Sequence, residues 1–151
     1  MTITVFGTPA PQGSKRFVGH AKSGRGIMIE SSAAVKPWRE AVKWAALQKL
    51  HEENRLRING PVRVRMVFTL PRPKSAKMGA LPSKKPDLSK LVRATEDALT
   101  DAGMWEDDAR VVVLEAQKLY IGHESLRYVP GQMGIRLALD RPGCVITIEG
   151  A

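Results

Sequence analysis

The sequence predicts an α+β fold, a mixed β-sheet with two main helices. Three observations predict it. Segments near both ends and in the middle alternate apolar with polar residues, as half-buried strands do. Two other stretches repeat apolar residues at three and four, as amphipathic helices do. Clusters of Gly, Pro, Asn and Ser separate them. The 151 residues are expected to form one domain over 1–151, long enough to bury a core without disulfides.

The elements follow in order. "ITVFGTP" alternates and reads as a strand ending at Pro9. "APQGSKRFVGHAKSGRGIMIES" holds two short apolar pieces around Phe17 and Ile27. It reads as a hairpin whose glycine-rich tip carries Lys15, Arg16, His20, Lys22 and Arg25, either a solvated loop or a phosphate contact. From Ser32 to Leu56 the period becomes helical. Ser31 or Ser32 can cap it, and Val35, Trp38, Val42, Ala45, Ala46 and Leu50 make its apolar face. Pro37 fits only in a first turn, and Trp38 and Trp44 are both expected to pack.

Asn59-Gly60 marks a turn. "PVRVRMVFTLP" then alternates, with Val62, Val64, Met66 and Phe68 on one face and Arg63 and Arg65 on the other. "RPKSAKMGALPSKK" has no period and reads as a basic loop. Leu88 to about Asp101 is the second helix. Its buried stripe is Leu88, Leu91, Val92, Thr95, Ala98 and Leu99, and Lys90, Arg93, Glu96 and Asp97 face away. Gly103 stops it. "ARVVVLEAQKLYI" reads as a central strand, "GIRLALD" as a short edge piece and "GCVITIEG" as the last strand, which buries Cys144.

Composition limits function. The net charge is +9, from 24 Lys plus Arg against 15 Asp plus Glu. That excess favours a polyanionic partner, nucleic acid above all. One cysteine allows no internal disulfide and fits a reducing compartment. No stretch has the apolar length of a membrane helix, and the N-terminus does not read as a signal peptide. A soluble cytoplasmic protein with no membrane partner is expected. His20, His51 and His123 are too scattered to read as zinc ligands.

One window departs from this basic character. "KPDLSKLVRATEDALTDAGMWEDDARVV" spans 85–112 and gathers many of the carboxylates. Asp87 at a helix start can simply cap it, and Asp107 and Asp108 can be turn residues. Adjacent carboxylates repel, however, and a cation must neutralise them. The window supplies Lys84, Lys85, Lys90, Arg93 and Arg110. A hard divalent ion is the other solution, because Mg²⁺ takes oxygen ligands and needs few from the protein. Bases that grip a phosphate backbone around acids that hold a metal are the requirements of a metal nuclease.

The same window resembles the core of the RusA family of Holliday-junction resolvases. The family pattern is Asp-x-Asp-Asn or Asp-x-Asp-Lys opening a helix, a basic residue after it, Asp-Ala-Leu, a glycine-aromatic turn and Asp-Asp. Here it falls on Asp87, Lys90, Arg93, "DAL" at 97–99, "AGMW" at 102–105, and Asp107-Asp108. "GTPAPQGSKRF" and "WRE" at 38–40 are also similar to the family. The resemblance implies an intertwined homodimer that acts as a Mg²⁺-dependent DNA endonuclease. Such an enzyme makes paired nicks across a four-way junction, in recombination and repair. It makes Asp87 and Asp108 metal ligands assisted by Asp107, and puts Arg93 where the family carries a catalytic lysine. Lys15, Arg16, Lys84, Lys85 and Lys90 are the expected DNA contacts.

Two departures stand out. Ser89 occupies the place of the second aspartate, so one charge of the site is missing. Arg93 keeps its charge but cannot readily release a proton. A non-catalytic, structure-selective DNA-binding protein is therefore the alternative. Geometry adds a difficulty. A straight helix over 88–101 is roughly 21 Å long, with Asp87 at one end and Asp108 beyond the other. Either the helix is shorter or bent, or the connection 102–108 folds back, the reading slightly favoured by the sequence, or Asp108 comes from a second subunit.

Overall fold

The computed structural model describes residues 1–13, 15–20, 23, 26–30, 33–124, 126–129, 132–136 and 138–151, with backbone alone for 15–20, 26–30, 126–129 and 132–136. Strands β1 (Thr2–Phe6), β4 (Val62–Leu70), β5 (Val111–Tyr120) and β8 (Gly143–Gly150) form a four-stranded sheet in the order β1-β8-β4-β5. β2 (Lys15–His20) pairs with β3 (Gly26–Glu30), the hairpin expected from the sequence. β6 (Leu126–Val129) pairs with β7 (Gln132–Arg136) in a second hairpin, of which only the second strand was anticipated.

β8 runs antiparallel to both β1 and β4, whereas β4 and β5 are parallel. A parallel pair needs a crossover. Here it is the loop 71–87 followed by α2 (Leu88–Asp101). α2 must therefore run opposite to both strands, with its start near their C-terminal ends.

α1 (Val35–Glu52) lies beside α2 on the same face of the sheet. Val62, Val64, Met66, Phe68 and Leu70 of β4 point to that face and join Trp38, Val42, Leu91, Leu99, Met104 and Ile146 in one buried cluster. The Trp38 ring sits 6.5 Å from that of Phe68. Its indole N–H donates to Thr95 Oγ1 at 3.1 Å, and that hydroxyl donates to the Leu91 carbonyl at 2.9 Å. The buried threonine is thus satisfied, and the two helices are tied in register. On the opposite face, Val67, Leu119 and Ala138 make a small second cluster, and Arg63 and Arg65 stay accessible.

Four expectations change. α1 begins at Val35 after Ala34, and the Ser31 and Ser32 capping reading falls outside the described residues. The helix stops at Glu52 because Asn54 turns left-handed at φ 49°. Arg55 N–H then donates to the Leu50 carbonyl and Asn54 N–H to that of His51, the paired bonds of a Schellman cap. Trp44 does not pack and is 66% exposed. β5 is an edge strand rather than a central one. Its valine run satisfies only one neighbour, leaving Val112 59% and Leu114 44% exposed.

Candidate active site

Asp87 opens α2 in extended backbone, φ −68° and ψ 131°, yet its carboxylate makes no capping hydrogen bond. A cap is the cheap structural use of an aspartate here, and Asp87 does not take it. Its partner is the Lys90 ammonium at 3.7 Å, with both side chains about half exposed. Three chain segments meet here. Gln12 N–H donates to the Lys90 carbonyl at 2.9 Å, which docks the N-terminal segment on α2. Lys118 of β5 donates to the Lys84 and Pro86 carbonyls, each at 2.8 Å. The loop 71–86 supplies Arg72, Lys74, Lys77, Lys84 and Lys85, all exposed. This end is cationic around one available carboxylate.

The other end of α2 is acidic. Gly103 at φ +73° closes the helix, and Met104 N–H bonds back to the Leu99 carbonyl at 3.0 Å. Met104 and Trp105 are buried, and the Trp105 indole donates to Thr100 Oγ1 at 2.9 Å. Asp107 then accepts from Ala109 N–H at 2.8 Å and caps the 3₁₀ turn Asp108–Arg110. Asp107 thus has a structural use. Asp108 makes no ion pair or side-chain hydrogen bond among the described residues. Glu96 is partly buried near it. Burial first, then the charges of Asp108 and Asp97, push the Glu96 carboxyl above its usual range. Arg39 holds Asp101 at 2.6 Å and Asp97 at 3.5 Å, and Arg110 holds Glu106 at 3.4 Å.

The connection leads back alongside α2: the 3₁₀ turn Asp108–Arg110 packs against that helix, and Asp108 lies near enough to Glu96 to raise its carboxyl. Lys118, which touches the chain beside Asp87, lies seven residues further along β5 than Val111, roughly 23 Å at ~3.3 Å per residue. Asp87 thus stands at the start of α2, and Asp108 beside its later turns, just before β5 begins. Among the described residues no three His, Cys, Asp or Glu side chains gather in a way that could hold a metal. The donor chemistry of Asp87 and Asp108 suits Mg²⁺, being hard oxygen on accessible carboxylates. The single-protomer geometry does not.

Arg93 lies exposed on the outer face of α2, one turn beyond exposed Ser89, and makes no ion pair among the described residues. The side chains of Lys15 and Arg16 lie outside those described. Sequence reasoning missed Lys118 and Glu96. Lys118 had a signal, a lysine on the inward face of a strand shared with Leu114, Ala116 and Tyr120. Among the described residues, no helix is long and apolar enough to cross a membrane.

A protein-family model described as "Endodeoxyribonuclease RusA" matches residues 7–127, a span that contains every candidate residue above. A search of the curated proteins finds no match.

Proposed function

The chain belongs to the RusA family of endodeoxyribonucleases, and we propose that it works as a homodimer with each metal site shared between protomers, cutting four-way DNA junctions. The reading is supported by two available acids beside different turns of one helix, Asp87 at the start of α2 and Asp108 near Glu96, next to an unpaired strand edge. β5 has no partner on its outer side among the described residues, and Val112 and Leu114 are exposed there. A two-fold axis across that edge pairs β5 with its copy in antiparallel fashion. The cationic end of one protomer then meets the acidic end of the other, and two equivalent sites arise.

In this arrangement Asp87 and Asp108 of the partner subunit would hold Mg²⁺. The metal, when bound, supplies an activated water and offsets charge on the phosphate under attack. Arg93 stabilises that phosphate by charge and paired hydrogen bonds. It is not a proton donor. Lys84, Lys85 and Lys90 bind the flanking backbone, joined by Lys15 and Arg16 from the N-terminal hairpin. Two sites related by two-fold symmetry suit paired nicks on a branched substrate.

Ser89 favours a second reading, in which the protein binds junctions but cuts them poorly. Magnesium-dependent nicking of a four-way junction separates the two, since retained binding without product supports the second. The shared site has its own test, mixing Asp87→Asn chains with Asp108→Asn chains. A shared site leaves each heterodimer one intact pair, so an equal mixture regains about a quarter of the wild-type sites and yields nicks rather than paired cuts. A site within one chain regains nothing.

A further inference from the structure

Lys118 is unusual on two counts. It faces the helices from β5, between Ala116 and Tyr120, which both pack against the core. Its ammonium also lies beside the start of α2, where it donates to the carbonyls of Lys84 and Pro86 at 2.8 Å each. Fold stability does not ask for a cation at this place. The start of a helix carries partial positive charge and favours anions. Lys84, Lys85 and Lys90 already crowd the region, and partial burial of an ammonium carries a desolvation cost. A methionine would fill the same volume without these penalties.

The hydrogen bonds give Lys118 another role. Lys84 and Pro86 stand on either side of Lys85, just before Asp87. Because the Asp87 carboxylate does not cap α2, the helix itself holds it only through the half-exposed ion pair with Lys90, which does not fix the backbone that carries it. The chain leading into it does, and Lys118 ties that chain to a strand of the sheet. We propose that Lys118 is a positioning residue, which clamps residues 84–86 onto β5 and so holds Asp87 and the Lys84-Lys85 pair in the geometry that metal and phosphate require. Two of its three N–H donors are accounted for; loss of both releases the segment. The catalytic consequence rests on the nuclease reading, while the anchoring rests on the two hydrogen bonds alone.

The test compares wild type with Lys118→Met, which keeps the packing, and Lys118→Arg, which keeps the donors. The first readout is amide exchange at Leu91 and Val92 in the metal-free protein. Lys118→Met should exchange about tenfold faster there, with the sheet unchanged and Lys118→Arg close to wild type. The second is the Mg²⁺ concentration that half-saturates junction cleavage. It should rise about tenfold in Lys118→Met and return in Lys118→Arg. Unchanged exchange in Lys118→Met overturns the clamp. So does uniformly faster exchange across the sheet, which is the mark of lost stability. Faster local exchange with unchanged magnesium half-saturation overturns the link to Asp87. If wild type cuts nothing while exchange still responds locally, the nuclease reading fails and the clamp stands.

Discussion

The two ends of α2 solve opposite electrostatic problems. At its start, Lys84, Lys85, Lys90 and Lys118 lie near Asp87 in the chain or the fold, and among the described residues Lys90 is the ion-pair partner of the carboxylate, at 3.7 Å. At its end, Glu96, Asp97, Asp101, Glu106, Asp107 and Asp108 crowd together. Arg39 and Arg110 neutralise three of them by ion pairs. Asp107 caps the 3₁₀ turn, so the end keeps two carboxylates without a structural task, Glu96 and Asp108, and the start keeps Asp87, which caps nothing. A fold that segregates charge along its own axis stores repulsion at both poles. Opposite charge from outside would relieve it, and the proposed dimer on DNA supplies such charge: phosphate and a partner's acids at one pole, a cation and a partner's lysines at the other. In the proposed homodimer the two poles would meet, and each would supply acids to one metal site.

The strongest way to break this comparison is to remove the free acid from each pole in turn. Asp87→Asn and Asp108→Asn should each lower magnesium-dependent cleavage about a thousandfold, with junction binding kept. Equal losses mean that the poles share one function. A large loss at one pole and none at the other would leave the second pole structural. Asp107→Asn should behave differently, because an asparagine oxygen still accepts from Ala109 N–H and keeps the turn; its loss should be far smaller.

Binding sharpens the contrast next. The start of α2 should grip backbone phosphates and the end should not. Replacing Lys84 and Lys85 together by alanine should weaken junction affinity roughly tenfold and flatten the log-log salt dependence by about two units. Replacing Arg110 by alanine should leave that slope alone, because its charge is spent on Glu106. Titration of binding against salt concentration distinguishes these outcomes. A smaller change is expected from Ser89→Asp, which adds an acid to the cationic pole. The magnesium half-saturation should fall several-fold; an unchanged value would mean that the missing charge is already replaced.

The poles also mark where the sequence was legible. α2 could be bounded from Pro86-Asp87 and Gly103 because start and stop signals are local. The end of α1 was misplaced because Asn54, unlike a glycine, does not announce a left-handed turn. The hydrophobic face of β4 was legible from its alternation. The edge position of β5 was not, because "VVVLEAQKLY" reads the same whether one neighbour pairs with it or two. The acids were legible as types in a family-like pattern. Where they lie depended on the burial of Met104 and Trp105 and on the packing of the 3₁₀ turn against α2. That is tertiary information, as is the reach of Lys118 to carbonyls more than thirty residues away.

The smallest expected effect tests the acidic pole from within. Burial and the nearby Asp108 and Asp97 raise the Glu96 carboxyl above its ordinary value of 4.5. The folded state therefore binds this proton more tightly than the unfolded chain does. The raised value favours folding least once pH exceeds it, so stability from this group falls as pH climbs from about 4.5 through the folded value. Glu96→Gln removes that loss. The variant should be more stable than wild type at pH 7, by under about 1 kcal/mol for a group still partly in water, and the gain should vanish below pH 4. If the cationic pole of a second protomer relieves Glu96, the gain should also shrink as protein concentration rises. Urea unfolding at two pH values and two concentrations reads both effects. A gain independent of concentration would mean that no partner lysines reach this pole, and the complementarity between the two ends would then be a property of each protomer alone.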